Sequence, residues 1–382
     1  MSNIRLGVDA RPLSWAQNRG VQRVARNLLR QIGENYAGEI ELFLYSNRPF
    51  LYIPPSSVTR TLFGTQLRYC LRDLPRAVRK DGCDVFLGTG PAVIVRSCPS
   101  IYIVYDGPLK DWLPQWVPAV SKLSLAYAGA RLAAPVRSTV TPRWASALVF
   151  NSETSKRELF TALPSARCKP SVVAYWGVDP EQPRLSRETS RKYVASRLGV
   201  NTPFLLYVGA VSRPKNIEGL VSMYRHVRQL NSSVSLVVVG DKFWPGYDQD
   251  PLEGVEGVRW FRYLPDEALA ALYGACQALV TLSWYEGFGL PVVEAMYQGA
   301  PVVVSDRGAL PEVVGEAGLV VDPSDPASAA QVVSELLADT GTLESQRKRS
   351  LVRSERFSWE VAAEKIVSLL RGFTGAGKTS GR

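Results

Sequence analysis

Histidine is almost missing from this chain of 382 residues: His226 is the only one, which leaves no histidine pair for acid–base work and no histidine cluster for a metal. Cysteine is scarce too. The five, Cys70, Cys83, Cys98, Cys168 and Cys276, are odd in number, scattered and never spaced C-x-x-C, which argues against a zinc site or a disulfide scaffold and for buried thiols in a reducing compartment. No uninterrupted apolar run approaches the roughly 20 residues that cross a bilayer. The opening MSNIRLGVDARPL also lacks the apolar core of a secretory signal, so a cytoplasmic protein is expected.

Acid is short in one half only. Residues 1–200 hold 28 Lys/Arg against 14 Asp/Glu, whereas residues 201–382 hold 17 against 21, so the overall +10 divides into +14 and −4. Such asymmetry suggests that the first half faces something anionic, whether phospholipid head groups, a pyrophosphate-linked lipid or nucleic acid. An arginine-rich basic proteome explains it equally simply. The sharpest cationic feature is Gln66 to Lys80, where Arg68, Arg72, Arg76 and Lys80 recur every four residues beside Leu67, Leu71, Leu74 and Val78. This basic amphipathic stripe can rest on a membrane surface, although Pro75 should bend or split the helix and a charge stripe is most often a solvated face.

At 46% apolar and 21% charged residues the composition is that of an ordinary globular protein, and the length exceeds what one core usually organises. Two domains are therefore expected. The first half alternates strand signals (Ile4 to Asp9, Glu41 to Ser46, Asp84 to Leu87, Ile101 to Asp106, Ala147 to Asn151) with a helix over about Val21 to Ile32. The second half repeats the pattern with strands at Phe204 to Gly209, Ser235 to Gly240, Val258 to Tyr263, Ala278 to Ser283, Pro301 to Ser305 and Leu319 to Val321. Alternation of this kind implies parallel, doubly wound sheets, whose ligands sit beyond the carboxyl ends of the strands.

The densest chemistry lies in Ser283 to Asp306, SWYEGFGLPVVEAMYQGAPVVVSD. A strand ends at Trp284-Tyr285, Glu286 follows, then Gly287-Phe288-Gly289, and then a helix-like segment that carries Glu294. The glycines let backbone approach a ligand, and the unpaired N–H groups of a helix's first turn attract phosphate. Two carboxylates about two helical turns apart can meet two parts of a long ligand; they are not spaced for a metal. The loop after Phe204 to Gly209 offers Arg213 and Lys215, well placed to neutralise a diphosphate. A plain βα unit with water-facing acids, and two exposed cations before a helix, are the structural alternatives.

Glu286 and Glu294 fit the E-x7-E signature of retaining glycosyltransferases, and Phe204 to Asp325 resembles the C-terminal half of family 4 enzymes with the GT-B fold. Asp9-Ala10-Arg11-Pro12-Leu13 with the Gly20 turn is similar to their opening, Asn151 to Arg157 to the start of the first domain's last helix with Ser152 as its cap, and Trp176-Gly177-Val178-Asp179 to their interdomain strand end. The resemblance implies two doubly wound Rossmann-like domains facing a cleft, with a C-terminal helix from Phe357-Ser358-Trp359-Glu360 crossing back to the first domain. The expected division is 1–180, a linker at 181–200, a nucleotide-sugar domain at 201–356, the cross-over helix at 357–372 and a disordered tail at 373–382. That tail contains GFTGAGKT, a P-loop pattern without the strand before it or the helix after it that the motif needs.

The resemblance also assigns roles. Glu286 would hold the hydroxyls of the transferred sugar and Glu294 those of the ribose, while Lys215, Arg213 and the backbone of Gly287, Phe288, Gly289 and Leu290 would hold the pyrophosphate; Gly20 would approach from the opposite domain. Tyr263-Leu264-Pro265 falls where the family cradles the base, and Ser305 to Glu312 resembles another donor loop. Where the family often reads His-Asp this chain has Tyr105-Asp106, so any catalytic task there falls to those two residues. The implied activity is retaining transfer of a hexose, with GDP-mannose as first guess, to a lipid-linked or polysaccharide acceptor in bacterial cell-surface glycan synthesis, without a metal or other cofactor and without nucleic acid. An inactive sugar-nucleotide-binding partner protein and a nucleotide-sugar epimerase are the rival readings. Val117 to Val136, rich in aromatic and small residues, is either a cover for acceptor lipid or a core helix.

Overall fold

The computed structural model describes residues 3–14, 20–89, 93–106, 141–242 and 250–374. Expectations for Val117 to Val136, for the residues that follow Asp106 and for most of the GFTGAGKT tail lie outside these residues. The chain divides into two compact units; one holds the described residues up to Gly177 together with 358–374, the other Val178–Phe357.

The first unit is built on β1 (Ile4–Asp9), α1 (Gly20–Asn35), β2 (Ile40–Ser46), β3 (Ser57–Thr61), α2 (Gln66–Arg68), α3 (Leu74–Lys80), β4 (Val85–Gly88), β5 (Ser100–Val104), β6 (Ala147–Phe150), α4 (Glu153–Ala162) and β7 (Ser171–Val173). All seven strands run parallel in the order β3-β2-β1-β4-β5-β6-β7. The central strands are continuous apolar runs because both faces are covered. β3 and β7 escaped the sequence reading: β3, SVTRT, is a half-buried edge strand without alternation, and β7 is only three residues long. Ser152 caps α4 as expected, its hydroxyl accepting from Ser155 N at 3.0 Å.

The second unit consists of α5 (Arg187–Leu198), β8 (Phe204–Val208), α6 (Ile217–Leu230), β9 (Ser235–Val239), β10 (Val258–Phe261), α7 (Asp266–Ala275), β11 (Ala278–Thr281), α8 (Leu290–Tyr297), β12 (Val302–Ser305), α9 (Leu310–Val314), β13 (Leu319–Val321), α10 (Pro326–Ala338) and α11 (Thr340–Ser354). Its six strands are again parallel, ordered β10-β9-β8-β11-β12-β13. The expected linker at 181–200 is corrected here: α5 fills most of it. Ser186 caps its start, accepting from Thr189 N at 3.1 Å, Gly199 ends it at φ 65°, and Ser190 packs on Gly274 of α7. Only Ser190 and Val194 of α5 are buried, so the apolar periodicity that would have revealed a helix is missing.

Helix α12 (Trp359–Thr374) belongs to the first unit and is shifted two residues C-terminal of the expected 357–372. Its Trp359 stacks on Trp176 with ring centroids 5.6 Å apart, Lys365 donates to Val173 O at 3.0 Å, and Arg371 forks onto Glu39 at 2.6 and 2.7 Å. A Cβ on Gly177 would lie 2.5 Å from Trp359 N, so only glycine fits where the chain leaves this unit. No helix among the described residues is long and apolar enough to cross a membrane.

All five cysteines are free thiols, but Cys168 is exposed, contrary to the expectation that all would be buried. Burial pushes the Cys98 and Cys276 thiols up to about 12. Titration of the native protein with a thiol reagent should therefore give one fast equivalent, lost in Cys168→Ser; two or more fast equivalents in the native state would contradict the burial of the remaining thiols.

Candidate functional site

In the second sheet the strand order reverses between β8 and β11, so the loops leaving these neighbours diverge and open a crevice beyond their carboxyl ends. The β8 loop ends in a 3-10 turn, Arg213–Lys215, and then Asn216, held at φ 53°, which caps α6 by accepting from Gly219 N at 3.2 Å while its amide donates to Pro323 O at 3.0 Å. That anchoring fixes the direction of Lys215. From the β11 loop, Trp284 N donates to Pro214 O at 3.0 Å and ties the two loops together.

The tie brings Lys215 Nζ within 2.6 Å of Glu286 Oε1. Ser283 Oγ donates to the same oxygen at 3.0 Å, and Ser305 Oγ donates to Ser283 O at 2.7 Å. The main chain of Glu286 is held as well: Ala309 N donates to its carbonyl at 2.8 Å, and Gly308, at φ 60°, lies so close that a Cβ would be 2.3 Å from that oxygen. Both side-chain bonds go to Oε1. Oε2 has no partner among the described residues, and the pair keeps 26% and 21% of its side-chain surface, so a ligand hydroxyl can still reach this carboxylate. An ion pair exposed to this degree contributes about 1 kcal/mol or less, which marks its arrangement as more informative than its strength.

Helix α8 starts just beyond. Gly289 occupies φ 99°, where a Cβ would meet Leu310 at 2.8 Å, and no side chain caps the helix start. Phe288 is buried, edge-on to Phe357 with centroids 5.8 Å apart. Glu294, in the second turn, is 2% exposed, and its Oε2 accepts from the Tyr273 hydroxyl at 2.9 Å. Sequence reasoning missed Ser283, Ser305, Gly308 and Tyr273 as supports of the two acids. Ser283 stood three residues before Glu286 within the stretch already singled out; nothing local in α7 announces Tyr273.

The remaining expected residues belong to the first unit. Asp106 is exposed just past β5, and Gly20 is the exposed first residue of α1. Tyr105 donates its hydroxyl to Thr89 O at 2.9 Å and leans on Trp176; burial, with Asp9 and Asp106 nearby, pushes its hydroxyl well above the ordinary tyrosine range. A phenol so held stays protonated with its proton already committed. His226 lies exposed on α6, its ring beside Ser222 O, away from these loops. Among the described residues no three His, Cys, Asp or Glu side chains gather as a metal site.

Two all-parallel sheets of matching order, with a terminal helix returned to the first, define the GT-B class of glycosyltransferase fold. Sucrose-phosphate synthase from Thermosynechococcus elongatus shares it with a TM-score of 0.74 over 98% of this chain and 100% of that one, at 19% identity. HepE from Anabaena, solved in complex with UDP and glucose, gives 0.70 over 97% and 100%, also at 19%. Residues 190–351 match the family model Glycosyl transferases group 1. The O-antigen chain mannosyltransferase B of Escherichia coli is 38% identical over 164 residues, 41% of this chain, and the match spans 42% of that relative's length.

Tyr273→Phe removes a hydrogen bond to a buried carboxylate and should cost about 1–3 kcal/mol. Gly308→Ala puts a methyl against backbone at a left-handed position and should cost about 3 kcal/mol. Both are read by denaturant unfolding. Wild-type stability in either variant would mean that these loops are not locked as described.

Proposed function

We propose that this chain is a retaining hexosyltransferase that moves a sugar from a nucleotide-sugar donor to a lipid-linked or polysaccharide acceptor, on the cytoplasmic side of a bacterial membrane. The observation that carries the reading is the Lys215–Glu286 contact at the switch point of a group 1 domain. A cation and a carboxylate with a spare oxygen at one crevice suit a ligand that is anionic in its middle and hydroxylated at its end.

Lys215, with Arg213 from the same turn, would meet the diphosphate, and the N–H groups about Gly287, Phe288, Gly289 and Leu290 would line its other side. Once phosphate occupies Lys215, Glu286 is released from its ion pair, with Ser283 keeping it aligned, and its oxygens can accept from hydroxyls of the transferred hexose. Glu294 would take the ribose hydroxyls. Its burial means that neighbouring side chains must part to admit them, and an unchanged nucleotide affinity in Glu294→Gln would remove it from the binding set. The bond between the anomeric carbon and the phosphate oxygen breaks on the face where the acceptor oxygen attacks, and the leaving phosphate takes the acceptor's proton, so no protein nucleophile is required. Tyr105, its proton committed, shapes the first unit's strand end, and Asp106 is the residue there open to the acceptor.

The name of the Escherichia coli relative favours a mannosyl donor, hence GDP-mannose. Stabilisation by UDP or dTDP and not by GDP in a thermal-shift series would overturn that choice. Labelled donor with and without a lipid-linked acceptor separates the readings, because transfer, an isomerised sugar and binding alone are distinct products. Glu286→Gln should lower transfer by about two to three orders of magnitude, and Lys215→Ala should abolish the thermal shift. Activity should persist in chelator. A sugar trapped covalently on Glu286 or Asp106 would sink the front-face reaction.

A further inference from the structure

Between β3 and β4 the cation-spaced segment folds as α2, a π turn over Tyr69–Asp73, and α3, end to end. Thr65 caps the start, accepting from Arg68 N at 3.3 Å. Pro75 supplies no N–H, and the wider turn ahead of it absorbs the missing bond, so the segment continues where the sequence suggested a break. Tyr69, Cys70, Leu74 and Val78 face inward and are buried. Leu67 and Leu71 do not join them: each is 69% exposed, and Phe63, just upstream, is 71% exposed.

Residues four apart share a line along a helix. Leu67 and Leu71 are therefore neighbours on one exposed apolar strip, with the exposed Phe63 in the chain just before the helix, and Arg68, Arg72, Arg76 and Lys80, all exposed, carry the cations of the same segment. Arg68 meets Asp73 at 3.1 Å, whereas Arg72, Arg76, Arg79 and Lys80 make no ion pair among the described residues. One exposed leucine needs no explanation, but large apolar side chains aligned beside unpaired cations do.

We propose that this face docks on an anionic phospholipid bilayer, with Phe63, Leu67 and Leu71 in the boundary between head groups and acyl chains and the arginines on lipid phosphates. Nucleic acid would engage the cations and leave the leucines wet. The face is held firmly. Arg11 reaches Cys70 Sγ at 3.2 Å and lies over the Tyr69 ring, while Tyr69 donates to Asp9 Oδ1 at 3.3 Å. Asp9 ends β1, so docking would set the carboxyl end of the first sheet beside the membrane. The lipid contact stands on this surface alone; delivery of a lipid-linked acceptor by it rests on the transferase reading.

Sedimentation of the full chain with phosphatidylglycerol–phosphatidylcholine vesicles tests it. Binding is expected to those vesicles and not to pure phosphatidylcholine, and should weaken as salt rises. Arg72→Gln/Arg76→Gln should weaken partitioning roughly thirtyfold, and Leu67→Ser/Leu71→Ser roughly tenfold, with unchanged thermal melts because these side chains are exposed. No binding by the wild-type chain overturns the proposal, as does wild-type binding by both double variants. A concentration-dependent dimer that the leucine variant abolishes, without lipid binding, overturns it in favour of a protein partner. Failure of the transferase reading would show separately, as absent stabilisation by any nucleoside diphosphate with vesicle binding intact.

Discussion

A lysine and a glutamate 71 residues apart meet at 2.6 Å, and much of the second unit's loop geometry exists to make them meet. Parallel strands β8 and β11 start the two loops side by side; Asn216 in a left-handed conformation and the Trp284–Pro214 bond aim them at each other. Gly308 lets the β12 loop lie against the Glu286 backbone, so three strand ends converge on one carboxylate. The contact itself contributes little stability at this exposure. Under the transferase proposal its value would lie in presenting a preformed charge pair that an anionic ligand could divide without reorganising the loops.

The two acids that share one motif are supported differently. Glu286 sits in a half-open loop, held by a serine and a lysine that it can exchange for ligand groups. Glu294 sits inside a helix, almost sealed, with a buried tyrosine on one oxygen. A carboxylate in the first setting can respond to a substrate; one in the second is held at a fixed place and orientation by the core. Equal spacing in sequence thus conceals a division between an adaptable acid and a fixed one.

Much of this was legible beforehand for physical reasons. Both sheets are buried on two faces, so β1, β8 and β11 announce themselves as apolar runs, and the glycines around Glu286 mark where backbone must turn. What escaped depended on partners distant in sequence. β3 and β7 are edge strands with little burial to imprint a pattern, α5 is a polar helix defined by its caps, and Tyr273 owes its role to a residue on another helix. The exposure of Leu67 and Leu71 was equally unreadable, because a four-residue leucine spacing looks the same whether the strip faces core or water.

The first sheet has the same order, and its switch point lies between β1 and β4, yet that crevice is filled differently. There Asp9 and Arg11 form a two-bond fork, 2.8 Å from Nε and 2.6 Å from the terminal nitrogen, with side-chain exposures of 0% and 5%. Tyr69 and Cys70 complete its surroundings, and Thr89 closes onto the Asp9 carbonyl. Burying two charges is costly unless each is satisfied by a partner, and among the described residues both are. One switch point thus carries a buried charge pair and the other a partly exposed one, with a carboxylate oxygen that has no partner among the described residues. The pair at the first switch point serves to brace the cationic, leucine-bearing face of its own unit, through Tyr69 and Cys70.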